Sequence, residues 1–460
     1  MVESIHAKIW ELSPDVRNPE IYEELTGLTR QLIAIYDQDG RLDENPFTPT
    51  TKRTLSVQHA ELEMMLKDSV CLVTGFGCVG QCLVRKLSFP GIRQIVVMDM
   101  KPLAEDVKLP ANVIYVQGNI SEGRDLHAIF EKYRPEFIFH TAAQRDPGLA
   151  ETHIRETVIS NIMGTWNIVK TCERYPFVKK CTFSSTGKAS RYYTEEVYAA
   201  TKKICEFIFD TYAKQSKVCY SMVRFTHILE NSLMNIGFRD AVDAPFLAIH
   251  SPGKYVTAQN VSEAADLLLN SLLSSREGQC TFSLVRHLEW PVESLEVALF
   301  YIKERGSQIP VIFQGNPKGY CEKFFRGQMN WSDPDDLNLL INVYEYKHRL
   351  VSPAGDIVIS QISPADPEVL LAALQDMEIC LDDSKLRDRL FDGLRNITRS
   401  ALTKVDKKDT VEILKWGLEP KHLAAQGLCI SDFKGITSLM METLTDPPWL
   451  EQIKNILYVF

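Results

Sequence analysis

Apolar positions along this chain follow two rhythms. Through Ile21, Leu25, Leu28, Leu32 and Ile35 they recur every three or four residues, which predicts helix over residues 1–66, broken by a polar, proline-bearing connection at 43–51. From Asp68 onward, short strand signals take over: Val70–Thr74, Gln94–Met98, Val113–Gln117, Phe137–His140, Lys180–Ser184 and Tyr220–Phe225, with helical spacing between them. Brief strands that alternate with helices predict an α/β domain, a doubly wound parallel sheet with helices on both faces. From about 230 to 327 short strands mix with helices such as Val261–Leu273. Beyond Trp331 helical spacing dominates, in Pro367–Leu381, Ser384–Thr398 and Val411–Trp416. The expected division is a helical N-terminal extension at 1–66, an α/β domain at 67–330 with a smaller substrate lobe at about 230–327, and a mainly helical C-terminal region at 331–460. The N-terminal helices read as a cap over the main domain or as a docking arm.

Composition narrows the partners. With 460 residues the chain exceeds one ordinary core, and 45% hydrophobic with 24% charged residues is the balance of a globular protein. A formal net charge of -9 argues against nucleic acid as the main partner. The sequence shows no apolar stretch long enough to span a bilayer and no signal-peptide layout at its start, so a cytoplasmic setting without a membrane partner is expected. Eleven cysteines are scattered without a C-x-x-C pair and read as reduced, buried thiols, with no metal site.

Chemistry enters at Thr74-Gly75-Phe76-Gly77-Cys78-Val79-Gly80, where an apolar strand runs into a glycine-rich turn and then a helix. Gly75 suits a tight turn, Gly77 a close approach of backbone to a pyrophosphate, and Gly80 tight packing of the helix whose first N–H groups face the anion. Asp99, at the end of the next strand, is spaced to accept from the adenosine ribose hydroxyls. This favours NAD, while Lys101 leaves room for the NADP phosphate. Tyr198 and Lys202 lie four apart, on one face of a helix. An ammonium beside a phenol favours phenolate, which can exchange a proton with a sugar hydroxyl while hydride passes to a nicotinamide.

Together these segments resemble the extended short-chain dehydrogenase/reductases, within them the polysaccharide-biosynthesis group of nucleotide-sugar 4,6-dehydratases and epimerases, over roughly residues 68–330. His140-Thr141-Ala142-Ala143-Gln144-Arg145 looks like the family's turn beside the nicotinamide. Asn161-Ile162-Met163-Gly164-Thr165 is similar to the helix whose asparagine steadies the active-site backbone. Ser185-Thr186-Gly187-Lys188-Ala189 resembles the segment carrying the catalytic hydroxyl, acid and base. Val223-Arg224-Phe225 and Tyr255–Ala264 match the stretches around the nucleotide-sugar loop.

The resemblance implies a Rossmann-type fold. It implies a dinucleotide held by residues 75–80, Asp99, Asn119, Ile120, Thr141, Ala142, Ala143, Asn161, Tyr198 and Lys202. It makes Thr186, Tyr198, Lys202 and Lys188 the catalytic set, and Gln144, Arg145, Arg224, His227 and Lys254 the substrate contacts, with Arg224 and Lys254 on the nucleotide diphosphate. There are departures. The glycine turn is one residue shorter than the family's, Asn119 stands where an aspartate is usual, and Gly187 replaces the aspartate that protonates a departing hydroxyl in dehydration. His227 stands where the family commonly has an asparagine.

The implied function is oxidation of a nucleotide-activated sugar to a 4-keto intermediate, of the epimerase or 4,6-dehydratase type. Two alternatives stay open: a dehydrogenase or reductase of a non-nucleotide metabolite, and a non-catalytic dinucleotide-binding sensor or scaffold. The terminal helices offer a homodimer interface.

Overall fold

The computed structural model describes residues 2–231, 233–241, 243–316, 323–449 and 451–452. Positions 232, 242 and 317–322 of the expected substrate lobe, and 450 and 453–460 of the C-terminal region, lie outside them. By contacts the chain divides into two compact units. One is built from Met1–Thr54, Thr226–Ala264 and His287–Lys318, the other from Leu55–Phe225, Ala265–Arg286 and Gly319–Phe460.

The larger unit holds a nine-stranded sheet. Its first six strands are β1 (Val70–Thr74), β2 (Gln94–Asp99), β3 (Val113–Gln117), β4 (Phe137–His140), β5 (Lys180–Thr186) and β6 (Cys219–Phe225). They lie in the order β6-β5-β4-β1-β2-β3, all parallel. Every residue of β1 and β4 is buried, as strands covered by helices on both faces require. The strand order reverses at β1 and β4, so the carboxyl ends of these two strands open a crevice at Thr74-Gly75 and His140-Thr141. This is a Rossmann-type sheet.

Three further strands extend it beyond β6. Thr281–Val285 pairs parallel with β6, whereas Ile357–Ser360 and Leu350–Val351 add an antiparallel hairpin at the edge. The region after residue 331 is otherwise helical, and this hairpin is the part of it that the sequence rhythm does not announce. The hairpin strands are only four and two residues long, too short for an apolar rhythm to register.

The smaller unit has its own core. Ile5, Ile9, Leu25 and Leu32 from the N-terminal helices Val2–Leu12 and Pro19–Gln38 pack with Leu247, Ile249, Leu299, Ile302, Val311 and Phe313. Strand Val311–Phe313 pairs on one side with Leu247–Ile249. The Val311 N–H donates to the Thr29 hydroxyl at 3.0 Å and the Phe313 N–H to the Ser13 hydroxyl at 2.9 Å. Both hydroxyls thus satisfy backbone donors that neither water nor a strand would otherwise reach. Residues 1–54 are therefore an integral layer of this unit rather than an appended arm.

Candidate active site

The glycine turn follows β1 as its spacing requires. Gly75 has φ of +87°, and a Cβ there would lie 2.7 Å from the Ala142 backbone, so the turn presses on the Thr141-Ala142 turn after β4. Gly80 is tighter still: a Cβ would fall 2.0 Å from the Gly75 carbonyl oxygen. Around Gly77, by contrast, a Cβ would meet nothing within 4 Å. That open space sits at the N-cap of helix Cys78–Leu87, where Phe76, Cys78 and Val79 complete the turn. A cradle closed behind and open in front of a helix N-terminus fits a pyrophosphate.

Asp99 ends β2 with both carboxylate oxygens engaged. One accepts from the Phe76 N–H at 2.7 Å, the other from the Lys101 N–H at 2.9 Å. It therefore ties the glycine turn to the rim where a ribose would lie. Asn119 folds its side chain back to accept from the Ser121 N–H at 3.0 Å. Ile120 is buried against Gly164, where a Cβ would come within 2.6 Å of it.

Thr141 fastens the second turn. Its hydroxyl donates to the Thr74 carbonyl at 2.8 Å, and half-buried Ala142 and Ala143 follow. Asn161 sits in a π-helical stretch, Val158–Met163, and reaches across to Gln144. Its Oδ1 accepts from the Gln144 N–H at 2.8 Å, and its Nδ2 donates to the Gln144 carbonyl at 3.0 Å and to Thr201 Oγ1 at 3.0 Å. Both backbone groups of Gln144 are thereby held to the Tyr198 helix. Arg145 is exposed beside them. Behind the turn, His140 is buried between the Thr74 and Thr165 hydroxyls, and burial lowers its pKa to about 3, aided by the nearby Lys202 charge.

Helix Val197–Ala213 carries Tyr198 and Lys202. Burial pushes the Tyr198 phenol up to about 12. The Thr186 hydroxyl opposes this, Glu196 adds to it, and Arg145 pulls downward. Lys202 is buried and turned onto the end of β5: its Nζ donates to the Ser184 carbonyl at 2.8 Å and lies 4.6 Å from the centre of the Phe183 ring. Burial lowers its pKa to about 8. From its spacing, Lys202 is expected to tune the phenol. In the structure the strongest influence favouring phenolate is the Thr186 hydroxyl.

Thr186 ends β5 and begins the turn Gly187–Ser190, in which Lys188 donates to Glu196 Oε1 at 2.6 Å. Glu196 also accepts from Arg191 at 3.1 Å. This buried carboxylate was not singled out from the sequence, although its position two residues before Tyr198 was a signal. At Gly187 a Cβ would lie 2.9 Å from Leu340 Cγ, so the C-terminal region fills the space in which an acidic side chain would start.

The expectation for Arg224 is overturned. It is fully buried, and all five N–H donors of its guanidinium are used: two on Glu206, two on Glu345 and one on the Leu340 carbonyl, at 2.7–2.9 Å. No donor is left for a diphosphate. The two carboxylates lie 18 and 121 residues away in sequence, beyond the reach of any local motif. His227 and Lys254 belong to the smaller unit. His227 is exposed on strand His227–Ile228, which pairs with Ala258–Gln259, and the Lys254 carbonyl accepts from the Ser294 N–H at 2.9 Å.

Among the described residues no cluster of histidine, cysteine and carboxylate side chains could hold a metal, and no helix is long and apolar enough to cross a membrane.

Residues 71–230 match the family model described as NAD dependent epimerase/dehydratase family. The chain is 22% identical over 355 residues to the probable polysaccharide biosynthesis protein EpsC of Bacillus subtilis, covering 74% of this chain and 56% of that protein. It is 23% identical over 326 residues to the capsular polysaccharide biosynthesis protein CapD of Staphylococcus aureus, covering 66% and 53%. The chain thus spans about half the length of these curated relatives. Among solved structures, Pen from Bacillus thuringiensis superposes with a TM-score of 0.55 at 18% identity, over 65% of this chain and 89% of that one; this is a likeness of fold.

Proposed function

We propose that this chain oxidises a hydroxyl of a nucleotide-activated sugar with NAD and works through the resulting keto sugar, in the manner of an epimerase. The observation that carries the reading is the placing of Tyr198 where the Thr186 hydroxyl at the end of β5 favours its phenolate, with Lys202 under the same strand end, in a fold whose β1 turn is shaped for a pyrophosphate. The match of residues 71–230 to an NAD dependent family supports it.

In this reading the glycine turn 75–80 and Asp99 hold the dinucleotide, and Asn161 and Thr141 keep the second turn rigid beside it. NAD, when bound, supplies the hydride acceptor. Tyr198, as phenolate, takes the proton of the sugar hydroxyl and becomes phenol; the Thr186 hydroxyl favours that phenolate before the transfer. Lys202, fixed on Ser184, holds a positive charge beneath the site. The keto group acidifies neighbouring C–H bonds, and its re-reduction yields an epimer. Loss of water requires an acid at the leaving oxygen. Gly187 offers none and Lys188 is held by Glu196, which favours the epimerase outcome over dehydration.

The test is a panel of UDP-, GDP- and dTDP-sugars incubated with NAD, with products resolved by chromatography and identified by NMR, and loss of water read by mass spectrometry. Conversion of at least one sugar without loss of water is expected, and Tyr198→Phe should abolish it. A chain that neither binds NAD nor converts any member of the panel overturns the reading. The full engagement of Arg224 favours a second reading, a non-nucleotide alcohol as substrate. Thermal shift separates the two: stabilisation by free UDP, GDP or dTDP supports the nucleotide sugar, and indifference to all three supports the alternative.

A further inference from the structure

We propose that Glu345, in the C-terminal region, is a positioning residue for catalysis, acting through Arg224 and Glu206 on the end of strand β5. The inference rests on the functional reading above, and the route can be followed atom by atom.

Glu345 is nearly fully buried and fixed at its own end, because its Oε2 accepts from the Asn342 N–H at 3.0 Å in a capping box. Both of its carboxylate oxygens then bond the Arg224 guanidinium, at 2.7 Å each. The opposite edge of the same guanidinium presents two parallel N–H groups to Glu206, at 2.8 and 2.7 Å. Its face lies 3.9 Å from the centre of the Phe282 ring. A planar fork clamped on both edges cannot rotate, so its orientation follows that of Glu345.

Glu206 passes the constraint to the active site. Its Oε1 also accepts from the Ser185 hydroxyl at 2.7 Å, and Ser185 directly precedes Thr186. Glu206 stands one helical turn beyond Lys202 and favours the charged form of that lysine. The same C-terminal segment holds the turn after Thr186: the Leu340 side chain fills the space at Gly187, Asn342 Nδ2 donates to the Ser190 carbonyl at 2.9 Å, and Ser190 Oγ donates to the Leu339 carbonyl at 2.9 Å. A solvated salt bridge would need none of this. One guanidinium with every donor used, between two carboxylates from elements far apart in sequence, fixes geometry at the cost of desolvating three charges.

The experiment is a double-mutant cycle on kcat, using the most active sugar of the panel above with NAD. Ser185→Ala removes a single hydroxyl at the far end of the relay and leaves every charge paired. It should lower kcat about tenfold, with KM for the sugar and NAD affinity unchanged. Glu345→Gln keeps the shape and removes the charge, and should lower kcat by a similar or larger factor with the same unchanged KM. The double variant should lose no more than the worse single variant, because both cut one relay. Multiplying losses, or a kcat for Ser185→Ala equal to that of the unsubstituted chain, overturns the inference and leaves the functional reading intact. If Glu345→Gln fails to fold, Ser185→Ala alone decides. Absence of turnover by the unsubstituted chain overturns both.

Discussion

Tyr198 sits under opposing influences, and their balance sets its chemistry. With burial holding the phenol near 12, it keeps its proton at neutral pH, so the rate of alcohol oxidation should climb as pH rises through the alkaline range. Thr186→Val removes the donor that favours phenolate. The climb should then move to higher pH and kcat/KM at neutral pH should fall by about 10- to 100-fold; a pH-rate profile indifferent to this change would show that the hydroxyl plays no such part. Behind the site, His140 gives a stability prediction with a definite sign. The unfolded chain binds a proton there as pH falls through 6.5, the folded one only near 3. Stability should therefore be lost across that window, on the order of 3 kcal/mol by pH 4. His140→Gln should flatten that slope in chemical denaturation series at pH 4 and pH 7. At this scale the sequence was legible where chemistry is local. The roles of Gly75 and Gly80 follow from their spacing, whereas Arg224 was misread because its carboxylate partners are remote and a buried arginine in an apolar strand looks, alone, like a ligand group.

Among the elements, β1 to β6 emerge within a residue or two of their sequence bounds, because strand and helix signals alternate there, most plainly in β1, which is apolar along nearly its whole length and buried throughout. The added edge strands did not emerge, since their pairing is decided by β6 and by one another rather than by their own pattern. The turn Gly187–Ser190 shows how one element constrains another. Gly187→Ala would press a methyl against buried Leu340 and should cost about 1–3 kcal/mol. Adding Leu340→Ala should recover part of that loss even though Leu340→Ala alone destabilises, a sign reversal that denaturation of the three variants would reveal. Additive losses would mean that the two residues do not share one space.

The whole chain is assembled from interleaved segments, three to each unit. Sequence rhythm marked the N-terminal helices as amphipathic but could not say which surface their apolar faces meet, since that information lies almost 300 residues downstream. Ile9→Asp places a charge in the core of the smaller unit and should destabilise that unit by about 3 kcal/mol or more. Hydrogen exchange should then speed up in peptides from 2–54, 243–264 and 287–316 and stay slow in β1, β4 and β5; faster exchange in those strands as well would mean that the units unfold as one.

The Ser13 and Thr29 hydroxyls that receive the N–H groups of Phe313 and Val311 have a consequence for biosynthesis. The segments bearing them are translated nearly 300 residues ahead of their docking strand. Over that interval they travel with a greasy face uncovered, so residues 2–38 are a stretch that a nascent-chain chaperone should hold.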